Sequence, residues 1–137
     1  MGLVLDSTVF IAAERQGLSA RQTLAQIASR FPEEQFALSV ITVIELAHGV
    51  ARADTPSRMQ ARQQYLDELI LASPVHTVSV QVALRAGQID GENAANGVRL
   101  PISDLLIGVT ALELGYSVAT ANLRHFQMVP GLGVISV

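Results

Sequence analysis

A chain of 137 residues can bury one good hydrophobic core but not two, so we predict a single domain over residues 1–137. The absence of cysteine excludes disulfides and thiolate metal sites, and the absence of lysine excludes any mechanism that needs a catalytic or phosphate-holding lysine. The net charge of −3 argues against broad electrostatic binding to nucleic acid, unless bound metal ions reverse the local sign of clustered carboxylates.

Short apolar runs alternate with helical periodicity along the chain, which predicts an α/β fold with a parallel sheet. Strands are predicted over residues 3–5, 36–40, 75–78, 117–120 and 133–137. Helices are predicted over residues 9–15, 20–31, 42–53, 57–72, 80–95 and 103–114. Ser19 is expected to cap the second of these helices, and Gly115 to close the last.

The apolar content bears on location and partners. No apolar run reaches the roughly 18 residues of a membrane helix, and no basic region precedes the first apolar stretch, so we expect a cytoplasmic protein without membrane contact. Half of the residues are hydrophobic, which suggests an apolar surface reserved for a partner or for a second copy of the chain.

Three carboxylates occupy positions at the ends of predicted elements. Asp6 ends the first strand, Glu45 follows the second, and Asp104 opens the helix before the fourth. Ligands of parallel sheets bind at the carboxyl ends of the strands, where Asp6 and Glu45 fall; Asp104 joins them if its helix begins over the same edge. Carboxylates about 5 Å apart would repel by roughly 3 kcal/mol per pair at an effective dielectric constant of about 20. Such a group takes up protons or binds a hard cation, Mg²⁺ or Mn²⁺.

Each acid also has a structural alternative. Asp6 could cap the helix that follows it. Thr42 and Glu45 have the spacing of a capping box, in which the glutamate reaches back to the threonine amide. Asp104 could simply favour the positive end of its helix.

The faces of the two acid-bearing helices give a further prediction. On the first, Glu45 is expected opposite the core stripe, with Gly49 leaving room one turn on. The predicted stripe consists of Val43, Ala47, Val50 and Ala51. On the second helix, Asp104 shares a face with Gly108, which predicts close approach either by a ligand or by a packed helix.

Four segments together resemble the PIN-domain ribonucleases, specifically the VapC-type toxins of toxin–antitoxin pairs. They are LVLDSTVFIA, SVITVIELAHG, PISDLLIGVTALELG and SVATANLRHFQMVPGL. The resemblance covers nearly the whole chain. It implies an α/β/α sandwich around a mainly parallel sheet of four to five strands, and a Mg²⁺-dependent endoribonuclease that cleaves single-stranded or looped RNA. It also implies a homodimer neutralised by a small antitoxin that covers an apolar groove.

Carried over by position, the resemblance implies that Asp6 and Asp104 bind the metal and that Glu45 is the catalytic-site glutamate, which orients a water or helps hold the metal. Asn122 stands where many PIN nucleases have a further acid, so it is a candidate site residue while the number of metals stays open. Asp90 and Glu92 could compensate, although a solvated helix end is the favoured interpretation of both.

Basic residues near the site have weaker assignments. Arg124 is a candidate phosphate contact or a solvated loop residue, and His125 is expected to pack with Phe126 rather than to act as a base. A second group of arginines could contact RNA or an acidic partner, namely Arg52, Arg58 and Arg62.

Two other functions match parts of the same pattern. Phosphotransfer proteins of the receiver or haloacid-dehalogenase type also place an aspartate after the first strand. They use a lysine, which this chain lacks, and the dehalogenase type needs a second acid where Thr8 stands. The other alternative is a PIN fold that has lost catalysis and only docks an antitoxin-like partner, an idea that Asn122 keeps open.

Overall fold

The computed structural model describes residues 1–137 as five strands and seven helices. The strands are β1 (Gly2–Leu5), β2 (Gln35–Ser39), β3 (Val75–His76), β4 (Ser117–Thr120) and β5 (Val134–Ser136). The helices are α1 (Ser7–Arg15), α2 (Ala20–Arg30), α3 (Val40–Ala51), α4 (Pro56–Ala72), α5 (Val80–Ala95), α6 (Ile102–Leu114) and α7 (Leu123–Phe126). All predicted elements are present with small differences at their ends, and α7 is additional.

All five strands run parallel in the order β3-β2-β1-β4-β5. The central strand β1 is buried on both sides, as parallel sheets between helices require. Leu3 and Leu5 enter one hydrophobic cluster and Val4 another, because alternate side chains of a strand point to opposite faces. The predicted fold class is therefore confirmed.

Two layers of helices cover the sheet. On one face, Phe10 of α1, Ile27 of α2 and Leu69 of α4 pack with the leucines of β1. On the other face, Ile107 of α6 and Phe126 of α7 pack with β1 and β4. Helix α5 packs against the outer side of α6. None of the helices is both long and apolar enough to cross a membrane.

The predicted helix ends are confirmed at two places. Ser19 and Gln22 form a reciprocal capping box at the start of α2. Gly115 ends α6 in the left-handed conformation, with φ of 70°, which a residue without a Cβ adopts readily. Gly108 within α6 serves close packing, because a Cβ there would lie 3.2 Å from Leu132 and 3.3 Å from Val129.

Helix α3 differs from its prediction in start and rotation. It begins at Val40, where the Ser39 side chain accepts from the Ile41 amide, so the capping box of Thr42 and Glu45 is wrong. Thr42 instead is fully buried and reaches the Leu5 carbonyl. The predicted core stripe is confirmed at Val50 and wrong at Ala47 and Ala51, which are exposed. The inward residues are spaced four apart and are Thr42, Leu46 and Val50.

Candidate functional site

Polar side chains are buried at the carboxyl ends of three adjacent strands. Asp6 follows β1 and is 2% exposed, whereas Ser39 ends β2 and Thr120 ends β4, both at 0%. Leu5 is paired with Ala119, which places Asp6 beside Thr120 across the two strands. Burying polar groups is costly unless they are hydrogen-bonded, so this edge is organised around specific partners.

Asp6 is held by two threonine hydroxyls. Its Oδ2 accepts from Thr8 Oγ1 at 2.7 Å and from Thr120 Oγ1 at 2.9 Å. The Thr8 hydroxyl in turn accepts a hydrogen bond from the Ala121 backbone amide, and the Thr120 hydroxyl accepts one from the Asn122 backbone amide. Asp6 occupies the N-cap position of α1 but makes no side-chain capping bond, so the capping interpretation is wrong.

Glu45 projects from the second turn of α3 and is half-buried. Its Oε1 accepts a hydrogen bond of 3.1 Å from Ser7 Oγ, on the residue directly after Asp6. Burial raises the pKa of Glu45, the Ser7 hydrogen bond opposes this, and the negative charges of Asp6 and Asp104 raise the pKa further. The glutamate therefore lies within electrostatic reach of both aspartates.

Asp104 lies in the first turn of α6 with 17% of its side chain exposed. Its Oδ2 is 2.7 Å from His125 Nδ1. Burial raises the pKa of Asp104, the His125 hydrogen bond lowers it, and the Asp6 carboxylate raises it. The expectation that His125 packs with Phe126 is wrong, because Phe126 is turned into the core at 1% exposure while His125 is turned to Asp104.

The three acids share one edge but do not converge into a ready set of ligands. No three histidine, aspartate or glutamate side chains are arranged to hold one metal ion. Each carboxylate is hydrogen-bonded to its own donors: Asp6 to two threonines, Glu45 to a serine and Asp104 to a histidine. The second oxygen of each acid makes no hydrogen bond to a protein side chain. An all-oxygen set of mutually repelling carboxylates fits a hard divalent cation in its chemistry.

The remaining candidates lie at the margin of this site. Asn122 is exposed and its side chain makes no capping hydrogen bond, although its backbone N–H donates to the Thr120 hydroxyl. Arg124 is exposed on α7. Asp90 and Glu92 are exposed on α5, as the solvated interpretation predicts, and neither compensates for Asn122.

The three arginines Arg52, Arg58 and Arg62 differ in their contacts. Arg58 forms an exposed ion pair with Asp54 on its own helix. Arg62 binds Glu14 of α1 at 2.8 Å and donates to the Gly49 carbonyl at 2.8 Å, so it ties three helices together. Arg52 is exposed at the end of α3.

A groove of about 600 Å³ opens next to the acids, between α1, α2, α3 and α4. Phe10, Leu46 and Tyr65 form part of its apolar lining. Glu45 belongs both to this groove and to the acidic edge, and Gly49 one turn away leaves open space, as predicted. The groove therefore borders the acidic edge at Glu45.

Sequence reasoning missed the donors that hold the acids. These are Ser7, Thr8, Thr120 and His125. A local signal existed for the first two, since a serine and a threonine directly follow Asp6. The others lie far along the chain, and only the β1–β4 pairing and the packing of α7 bring them to the acids.

Comparisons with known proteins agree with the fold. The chain matches the family model described as PIN domain over residues 3–132. It is 26% identical over 137 residues to "Ribonuclease VapC1" of Rickettsia felis, covering 100% of this chain and 97% of the relative. It is 32% identical over 97 residues to "tRNA(fMet)-specific endonuclease VapC" of Salmonella typhimurium, covering 71% of each. Among solved structures, a chain of the VapBC2 complex of Rickettsia felis with a promoter DNA fragment superposes with a TM-score of 0.81 at 20% identity, covering 100% of this chain and 99% of that one.

Proposed function

Because this chain belongs to the PIN domain family, we propose that it is a VapC-type ribonuclease toxin of a toxin–antitoxin pair. The proposal extends to a Mg²⁺-dependent endoribonuclease that hydrolyses RNA phosphodiester bonds in the cytoplasm. The observation that carries it is that Asp6, Glu45 and Asp104 lie along one sheet edge, within reach of one another's charge. Relatives named as ribonucleases support RNA as the substrate class.

Each residue of the site has a proposed task. When bound, Mg²⁺, or Mn²⁺ in its place, supplies an activated water and neutralises charge on the phosphate oxygens. Asp6 and Asp104 would hold the cation. Glu45, whose pKa burial raises, would orient the water, accept its proton at a carboxylate oxygen or join the ligands. Asn122 could add a neutral carbonyl at the margin, and Arg124 is proposed to contact a substrate phosphate.

The groove supports a protein partner. About half of its lining residues are hydrophobic, and Glu45 and Glu68 in the lining have no ion-pair partner, while Arg62 already binds Glu14. We therefore propose that the cognate antitoxin fills it with an apolar segment that carries positive charge. Occupying the groove would also cover Glu45, which links partner binding to loss of activity.

A homodimer is proposed on the exposed apolar side chains outside the groove. Ile44 is 59% exposed on α3, Val80 and Leu84 are each 70% exposed on α5, and Ile102 is 61% exposed at the start of α6. A second copy that covered such side chains would remove apolar surface from water, which is favourable.

The test compares the wild type with Asp6→Asn on purified tRNA and on total RNA, with Mg²⁺ or with a chelator. The substitution is expected to lower cleavage by about 10³-fold, because a bound cation contributes several kcal/mol to transition-state stabilisation. Asp90→Asn removes an exposed aspartate and serves as the matched control. Equal cleavage by the wild type and Asp6→Asn would reject the catalytic assignment, provided that circular dichroism shows both folded.

The second candidate, an inactive module that only docks its partner, is favoured by the exposed Asn122 side chain and by the separate donors that hold the acids. Mg²⁺ titration of the melting temperature separates the two. A nuclease that binds the ion should be stabilised by about 2.7 kcal/mol at a concentration 100 times the Kd. A module without a site should show neither stabilisation nor cleavage.

A further inference from the structure

His125 is the one side chain that hydrogen-bonds the Asp104 carboxylate. The distance from Nδ1 to Oδ2 is 2.7 Å. A ring nitrogen facing an ionised carboxylate acts as the donor, so the neutral imidazole carries its proton on Nδ1 and leaves Nε2 as an acceptor. The contact therefore fixes both the tautomer of the ring and the orientation of the carboxylate.

The two residues belong to backbone elements that are anchored independently of their hydrogen bond. Leu105 and Ile107, which follow Asp104 in α6, are 0% exposed, and Phe126, which follows His125 in α7, is 1% exposed. Core packing places the two backbones. The hydrogen bond instead restrains the side-chain torsions of Asp104, whose carboxylate has no other side-chain partner.

The setting makes this restraint effective. The Asp104 side chain is 17% exposed and that of His125 36% exposed, so water competes weakly for the bond. The 2.7 Å contact with the imidazole therefore holds the carboxylate in one orientation.

We propose that His125 is a positioning residue of the acidic site, which holds Oδ2 of Asp104 through its Nδ1–H and leaves the second carboxylate oxygen to bind the divalent cation. This inference rests on the proposed metal-dependent nuclease. It assigns to the imidazole no contact with the reacting phosphate. Residues that hydrogen-bond to metal ligands change metal affinity or activity by about 10- to 100-fold when they are removed.

The test measures Mn²⁺ binding by calorimetry in the absence of RNA, with cleavage kinetics alongside. His125→Phe keeps a ring of similar size and removes the donor, so Mn²⁺ affinity should fall about 10- to 100-fold. His125→Asn supplies an amide donor and should recover part of the affinity. His48→Phe changes an exposed histidine of α3 and should bind as the wild type does. A positioning role also predicts that high Mn²⁺ restores kcat in His125→Phe, which general disruption of the fold would not allow.

Two results distinguish failure of this inference from failure of the proposed function. Wild-type affinity in His125→Phe, while Asp104→Asn loses binding, would overturn the role of His125 and leave the metal site standing. Absence of Mn²⁺ binding by the wild type would overturn both the role of His125 and the proposed metal-dependent function. If His125→Phe does not fold, the ¹⁵N spectrum of the wild-type imidazole decides: a proton on Nδ1 agrees with the proposal, and a proton on Nε2 alone overturns it.

Discussion

At the amino edge of the sheet, Gly2 lies so close to the Tyr116 ring that a Cβ would overlap it, and the Tyr116 hydroxyl donates to Gln35 at 2.9 Å. At the carboxyl edge the strands end in Asp6, Ser39 and Thr120, all buried and polar. The amino edge is thus closed by tight packing, whereas the carboxyl edge gathers repelling acids that are held apart by hydroxyl and imidazole donors.

This difference indicates where stability and function are separated in the molecule. Substitutions at the amino edge should alter the free energy of unfolding and leave the site intact. Substitutions of the acids should remove activity while relieving repulsion, since functional sites are commonly retained at a cost in stability. Substitutions of the donors that hold the acids should affect both the free energy of unfolding and the activity.

Outside the acids themselves, the largest combined effect on the free energy of unfolding and on activity is expected from Thr120→Val, an isosteric change that removes one of the two hydroxyls bound to Asp6. Leaving a buried charged group short of a partner costs about 1–3 kcal/mol, and loss of a residue that supports a metal ligand lowers activity by about 10- to 100-fold. Urea unfolding measures the change in the free energy of unfolding, and cleavage assays measure the change in activity. Thr110→Val is the control, because Thr110 is equally buried but bonds only the Leu106 carbonyl within α6. Equal effects of the two substitutions would contradict the special position of Asp6.

Gly2→Ala should destabilise the protein with little change in activity per folded molecule. Overpacking against Tyr116 is expected to cost about 1–3 kcal/mol. Urea unfolding measures the loss of stability, and the rate of cleavage at a temperature well below the melting transition measures the activity of the site. Gly87→Ala on α5 meets no atom within 4 Å and should instead stabilise its exposed helix by about 1 kcal/mol. A loss of activity in folded Gly2→Ala would show that the two edges are coupled.

Glu45→Gln should give the smallest change in stability, and its sign depends on pH. The folded-state pKa of Glu45 lies above its ordinary value of 4.5, chiefly because the side chain is partly buried. The folded state therefore binds more protons than the unfolded state between these values, and stability falls as pH rises through that window. In a chelator, the variant should match the wild type at low pH and melt slightly higher at neutral pH. Glu33→Gln gives the baseline for an exposed glutamate. A difference from the wild type that is constant with pH would contradict the raised pKa of Glu45.

Local patterns in the sequence were enough to predict the strands and most helices, because burial on one or both faces leaves a direct record in the order of apolar residues. They also predicted that Asp6 and Glu45 share an edge, since the carboxyl ends of parallel strands lie together. The start and rotation of α3 were predicted wrongly because two local capping schemes compete there. Ser39 is the N-cap in the structure because the Thr42 side chain is buried in the core and faces the Leu5 carbonyl.

The sequence by itself determined the fold class, the approximate positions of the strands and the acids that could serve a cation. The tertiary structure alone decided which donor holds each acid. Thr120 reaches Asp6 from 114 positions away and His125 reaches Asp104 from 21, through strand order and the docking of α7. Apolar periodicity records whether a residue is buried, but not which neighbour it meets, so these pairings appear only when the chain is folded.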